Sequence, residues 1–390
     1  MQSIITDKIV TGGDCIGKIN GKTVFVSGAL PGEKVEIEIT NQKKDYDKAY
    51  VTKVLEPSEH RIIPPCPLYG ICGGCNLQIA DSKYQQQLRK NILLDIFTRA
   101  FYHSQIKLPE LETVIGSSTE YRNRFQFDSG GLKKHASSDS VKLTDCLVAV
   151  PEIRKFIASE KGQKIIKNGR TYVFADKRVQ GTEKVVFAPA INTLCSVSLS
   201  IPTNTNNATE THTISFDVQG FFQSNLQLVE KTIPLLIEGL EGNNLLDMYA
   251  GVGTFSVFAG KKFKQVTLVE HNKNAISFAK INLQHLTKAG IKITSIATSG
   301  EKWIKNANIP SFDAVIIDPP RSGIEKQVLN WLCTSKIKKI RYLSCDPVTL
   351  ARDTKKLLEA GYTLQRLFML DFYPQTSHIE SLAWFENEKI

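Results

Sequence analysis

Apolar and polar side chains alternate strictly in "KVEIEIT", residues 34–40. A period of two over that length predicts a strand with one buried face. "GKI" and "TVFV" flank Asn20-Gly21-Lys22, a hairpin signal. "AYVTKVLE" follows a charged turn. Five short strands within residues 4–56 predict a small closed β-barrel of OB type. Pro57, Pro64, Pro65 and Pro67 punctuate the exit. A cysteine cluster comes next, then the helix "DSKYQQQLRKNILLDIFTRAF" with Asp81 or Ser82 as its cap. Residues 110–220 read mostly as strands, in "YRNRFQFDS", "RTYVFADKRV", "KVVFAPAI" and "HTISFDVQGFFQ". "IPTNTNNATETHT", residues 201–213, is almost devoid of apolar side chains and is expected to be a mobile surface loop.

From about residue 221 strands and helices alternate. "NNLLDMYAG", "QVTLVE", "IKITSIAT", "FDAVIIDPP" and "IRYLSCD" are apolar strands. The helix "NKNAISFAKINLQHLTKAG" ends at Gly290. Continuous apolar strands separated by helices predict a mostly parallel sheet covered on both faces. "YTLQRLFMLDFYP" and "SLAWFEN" are joined too tightly for a crossover helix and predict an antiparallel hairpin at one edge. The chain thus divides into a barrel over 1–57, a β-rich centre over 58–220 and an α/β domain over 221–390.

Composition narrows the picture a little. The chain has 390 residues, with 42% apolar and 23% charged side chains, as in ordinary globular proteins. No run is long enough to span a bilayer, and the N-terminus lacks a signal-peptide core. A cytoplasmic protein with no membrane partner is expected, and its eight cysteines are then thiols, metal ligands or catalysts. The net charge of +10 arises after residue 57, because residues 1–57 hold 8 basic and 8 acidic side chains. That surplus is compatible with a polyanion.

Four stretches carry the chemistry. "LLDMYAGVGTF" is strand, G-x-G, then helix, a turn that lets backbone approach a ligand. Glu270, ending the next strand, suits a ribose diol; NAD, FAD and S-adenosylmethionine all fit this pair. "IIDPPRSG" places Asp318 at the carboxyl end of the fourth strand, in a stiff proline turn. Nucleic-acid base methyltransferases often show such an element, and Asp318 could orient a flipped base. Cys345 ends the following strand beside it. Carbon 5 of uracil is a poor nucleophile until a thiolate adds to carbon 6, and a base must then take the carbon 5 proton. "QTSHIESLAWF" offers Glu380 or His378 as that base. Cys66, Cys72 and Cys75, spaced C-x5-C-x2-C, with Cys146 far downstream, could hold zinc or an iron–sulfur cluster, and spacing does not choose. Cys15, Cys195 and Cys333 are read as structural.

Together these residues resemble the RNA uracil-5-methyltransferase family over nearly the whole chain. "CPLYGICGGCNLQ" and "TDCLVAVPE" resemble its iron–sulfur motif, which implies a 4Fe–4S cluster on Cys66, Cys72, Cys75 and Cys146. Residues 4–56 look like its RNA-binding TRAM domain, and 221–390 like its class I, Rossmann-like methyltransferase domain. "FFQSN" brings Gln223 to the cofactor and base, and Tyr249, Gly251, Thr254, Glu270 and Asp318 match further cofactor or substrate positions. "SCDPVTLARD" makes Cys345 the nucleophile, and "HIESLAWF" makes Glu380 the base. The resemblance implies S-adenosylmethionine as cofactor and RNA as partner, 23S rRNA before tRNA, acting as a monomer. Arg122, Arg124, Lys133 and Lys134 are candidate phosphate contacts. "ATSGEKW" lacks the family's usual acidic contact to adenine, for which Glu301 is the candidate substitute. Methylation of an exocyclic amine, which leaves Cys345 idle, and a non-catalytic RNA-binding factor are the competing readings.

Overall fold

The computed structural model describes residues 2–104, 106–188, 193–203 and 208–387. Strands β1 (Gln2–Ile9), β2 (Cys15–Ile19), β3 (Lys22–Ser27), β4 (Lys34–Gln42) and β5 (Tyr46–Glu56) close a barrel in the order β1-β2-β3-β5-β4. The alternation in β4 works as expected: Val35 and Ile37 point into the core. Asn20 and Gly21 sit at φ 50° and 83°, the paired left-handed conformations of a two-residue hairpin turn. Glu33, fully buried, accepts from the Arg61 guanidinium at 2.7 Å and ties the barrel to the chain that leaves it.

The next region is not self-contained. Helix α1 (Ser82–Phe101) starts at Asp81, whose carboxylate accepts the Tyr84 N–H at 2.9 Å. Strand β6 (Leu111–Val114) follows. A compact unit then forms from β7 (Arg124–Phe127), β8 (Gly131–Lys133), β9 (Ser140–Lys142), α2 (Pro151–Ala158), α3 (Glu160–Lys167), β10 (Thr171–Ala175) and β11 (Val185–Ala188). Phe125, Phe127, Ile153 and Val173 are among its core. Strands β12 (Leu194–Pro202) and β13 (Thr209–Asp217) pair antiparallel along their whole length. Of residues 201–213, expected as a loop, 201–202 and 209–213 belong to these two strands; 204–207 lie outside the described residues, as do 189–191 of the expected strand 184–191. Cys195, Val197, Leu199 and Ile201 are buried on one face of β12 while Ser196, Ser198 and Ser200 line the other, a period of two carried by the sequence itself.

The C-terminal region supplies α4 (Leu226–Ile237), β14 (Gly242–Met248), α5 (Thr254–Ala259), β15 (Phe263–Glu270), α6 (Lys273–Asn282), α7 (Gln284–Lys288), β16 (Lys292–Ala297), α8 (Gly300–Trp303), β17 (Ala314–Ile317), α9 (Lys326–Thr334), β18 (Lys339–Ser344), α10 (Pro347–Glu359), β19 (Thr363–Leu370) and β20 (Glu380–Glu386). The sheet runs β16-β15-β14-β17-β18-β20-β19-β6. Strands β14 to β18 are parallel, and β20 lies antiparallel between β18 and β19. The expected hairpin forms but does not make the edge, because β6 pairs parallel with β19 beyond it. Helix α1 also packs on α10. So residues 82–114, counted by sequence in the centre, complete the C-terminal layer. Arg89 of α1 and Asp371 form a fully buried ion pair at 2.7 Å. Removing one partner of such a pair costs about 3–5 kcal/mol.

Candidate active site

In a parallel sheet every strand's carboxyl end reaches the same edge, and ligands bind there. Here β14, β15, β17 and β18 deliver Tyr249, Glu270, Asp318 and Cys345 to one cleft of about 1230 Å³. An antiparallel strand reaches that edge with its first residue instead of its last. Strand β20 does so, and Ser344 pairs with Ser381 across the β18–β20 ladder. The adjoining residues Cys345 and Glu380 are consequently register neighbours at the lip of the cleft. Gln223, on the turn between β13 and α4, lines the opposite side with Phe221, which is 70% exposed.

The turn after β14 is built for close approach. Gly253 has φ 77°, and a Cβ there would meet the Leu283 side chain at 2.8 Å. Thr254 opens α5 directly behind it. Tyr249 adopts φ 63°, a left-handed conformation uncommon outside glycine that gathers at functional sites. Its hydroxyl donates to Glu325 at 3.3 Å. The Gly251 N–H donates to the Glu270 carboxylate at 3.0 Å, and the Asn272 N–H does so at 2.7 Å.

The floor is crowded with acids. Burial, reinforced by Asp247 and Glu270, pushes Asp318 up to about 7. Burial pushes Glu380 well above the usual carboxylate range; Asp318 adds to this and Arg321 opposes it. Burial, then Glu380 and Asp318, push the Cys345 thiol up to about 12, again against Arg321. Burial with Arg321 and Arg122 nearby holds His378 below the ordinary histidine value, so near neutrality it is uncharged. Cys345 at rest is thus protonated, and Arg321 is the nearby cation that favours the anions of both Cys345 and Glu380.

Cys66, Cys72, Cys75 and Cys146 line a second, enclosed pocket of about 30 Å³ with Leu68, Phe125 and Leu143. The donor set fits a soft metal centre, with four thiols in an apolar shell. Asp145, the carboxylate at its margin, is taken up by two Arg154 hydrogen bonds of 2.8 Å. Among the described residues no three His, Cys, Asp or Glu are grouped to hold a single metal ion. Cys15 and Cys195 are buried, and Cys333 is half-buried with its thiol toward the Lys356 carbonyl.

Gln223, Tyr249, Gly251, Thr254, Glu270, Asp318, Cys345 and Glu380 all line the one cleft, and His378 joins them. Two expectations change. Arg124 is not free for phosphate: its guanidinium donates to the Gly220 carbonyl at 2.8 Å, beneath the turn that carries Gln223. Arg122, Lys133 and Lys134 do line the cleft. Glu301 does not reach the cleft; its N–H donates to Glu325, which does line it. Arg321 and Glu325 were missed. Arg321 follows the quoted Asp-Pro-Pro directly, and that adjacency was the signal for it; nothing in the sequence marked Glu325.

The profile of the family described as tRNA (Uracil-5-)-methyltransferase matches residues 206–388, and that of the TRAM domain matches 4–51. A protein of Treponema denticola described as an uncharacterized RNA methyltransferase is 42% identical, covering 98% of each chain. The 23S rRNA (uracil(1939)-C(5))-methyltransferase of Shewanella amazonensis is 30% identical over 95% of this chain and 92% of its own. Among solved structures, the Pyrococcus abyssi tRNA (uracil-54, C5)-methyltransferase bound to S-adenosyl-L-homocysteine superposes with a TM-score of 0.70 at 23% identity. That superposition covers 98% of this chain and 100% of the other, and shows a shared fold.

Proposed function

The chain belongs to the RNA (uracil-5-)-methyltransferase family, enzymes that use S-adenosylmethionine, and from that premise we propose that it methylates carbon 5 of one uridine in 23S rRNA through a covalent adduct on Cys345. The convergence of Cys345 and Glu380, each adjoining the paired Ser344 and Ser381, on one cleft carries this reading. S-adenosylmethionine supplies the methyl group as a sulfonium. The Cys345 thiol gives up its proton to solvent and its sulfur adds to carbon 6, while the carbon 5–carbon 6 π electrons shift to form an enolate. Carbon 5 then takes the methyl group, and the thioether leaves. Glu380, as carboxylate, removes the carbon 5 proton; that electron pair restores the double bond and expels the Cys345 thiolate. Arg321 favours both anions the cycle needs. Asp318 and Gln223 orient the uracil, while Tyr249, Gly251, Thr254 and Glu270 hold the cofactor. Arg122, Lys133 and Lys134 take RNA phosphates beside the TRAM barrel.

Cys66, Cys72, Cys75 and Cys146 would hold a 4Fe–4S cluster, which ties the 66–75 loop to the segment around Cys146; the methyl-transfer steps do not pass through it. The preference for 23S rRNA rests on near-full-length similarity to an enzyme named for that RNA. Mapping 5-methyluridine in total RNA from cells with and without the gene tests it. Loss at a single 23S position is expected. Loss confined to tRNA would overturn the choice of RNA, and loss in neither would overturn the function.

A further inference from the structure

Glu380 is preceded by a turn, residues 372–379, that is held from outside peptide by peptide. Asn225 donates to the Phe372 carbonyl at 3.1 Å, and the Tyr121 hydroxyl donates to Pro374 at 2.8 Å. Gln85 of α1 grips Gln375 twice: its side-chain carbonyl accepts the Gln375 N–H at 2.9 Å, and its amide donates to the Gln375 side chain at 2.9 Å. Arg89 donates to the Thr376 carbonyl at 3.0 Å. Asn76 accepts the Ser377 N–H at 2.8 Å, while its own amide donates to Gly12 of the barrel at 2.8 Å. The backbone N–H groups of Asn76 and Leu77 both donate to the Gln375 carbonyl. Gln375 itself sits at φ 69°. A non-glycine residue keeps that conformation only where its surroundings over-determine it.

Local folding does not require such a collar, because the nine-residue connection between β19 and β20, residues 371–379, could close with its own turn bonds. We infer that Gln85 and Asn76 are positioning residues for proton removal: they fix the turn that aims Glu380 at carbon 5, without touching the substrate. Asn76 directly follows Cys75, so the cysteine pocket and the Glu380 turn share one rigid segment. The inference rests on Glu380 being the base, and it makes a claim that reading lacks. Loosening the collar selectively slows the last step, so that the carbon 5 proton leaves late and the cysteine adduct accumulates.

The test uses the full-length enzyme, S-adenosylmethionine and substrate RNA carrying tritium at carbon 5 of uridine. Methyl incorporation and tritium release are followed in a single turnover, with denaturing gels for the adduct. Asn76→Ala, at a half-exposed site, and Gln85→Leu are compared with wild type and with Glu380→Gln. The expected result is methyl incorporation within about threefold of wild type, tritium release slowed about 10- to 100-fold, and a gel-stable adduct. Equal slowing of both steps means a merely structural role and overturns the inference, as does no slowing of either. If Glu380→Gln itself builds no adduct, the assignment of the base fails; if it does and neither collar variant does, only the collar's role fails.

Discussion

Two sets of cysteines lie in this molecule under opposite conditions. Cys345 stands at the lip of an open cleft among Asp318, Glu380 and Arg321. Cys66, Cys72, Cys75 and Cys146 converge in a small apolar pocket where their nearest charged neighbours include one another and Arg122. Both environments raise thiol pKa values by burial, Cys345 to about 12 and Cys75 to about 11. The direction of the shift therefore does not distinguish Cys345 from Cys75. What differs is size and company: Cys345 shares a wide cleft with Glu380, Asp318 and Arg321, whereas the four other thiols share a small, mostly apolar pocket.

Substitution should split the two sets most sharply. Cys345→Ala is expected to lower single-turnover methylation by at least 10³-fold, about 4 kcal/mol of transition-state stabilisation, with the melting temperature almost unchanged. Cys75→Ala is expected to do the reverse, lowering the melting temperature by several degrees and abolishing visible absorbance of anaerobically purified protein, with a smaller loss of rate. Comparable rate losses without a stability difference would erase the contrast. A smaller effect concerns charge. Cys345 and Glu380 both have raised pKa values, so the anions the reaction needs are lost as pH falls. Arg321 opposes that rise. Arg321→Gln should move the acid limb of the pH–rate profile about one unit to higher pH, slowing the reaction about tenfold on that limb. A limb that stays in place or moves to lower pH would show that Arg321 does not face these groups in the working site.

Much of the cleft was legible because strand ends in a parallel sheet share an edge. "IIDPPRSG" and "IRYLSCD" needed only that rule to bring Asp318 and Cys345 together. Glu380 was legible as a motif but not as geometry. The short turn told of a hairpin, yet nothing told that β20 inserts beside β18 while β19 lies outside it. Strand β6, four residues long, pairs with a partner some 250 residues away, a contact that local periodicity cannot carry. Arg122 and Arg124 look alike in "YRNR", and each donates to a backbone carbonyl, Arg122 to that of Arg124 and Arg124 to that of Gly220; of the two, Arg122 lines the cleft. Of the hairpin of β12 and β13, the second strand was legible in "HTISFDV", whereas the first, "CSVSLSI", was passed over although its apolar and polar residues alternate. The collar on residues 372–377 was invisible for the same reason as β6: its hydrogen-bond partners come from positions 76, 85, 89, 121 and 225.

The central claim is that Cys345 and Glu380 act in sequence on one uracil. Incubating the Glu380→Gln enzyme with RNA and S-adenosylmethionine, then analysing the denatured product by mass spectrometry, tests it most directly. The account predicts a protein–RNA conjugate whose nucleotide carries one added methyl group and is attached at Cys345, and predicts its absence when Cys345→Ala is combined in the same chain. No conjugate from Glu380→Gln, or one that survives the loss of Cys345, would contradict it.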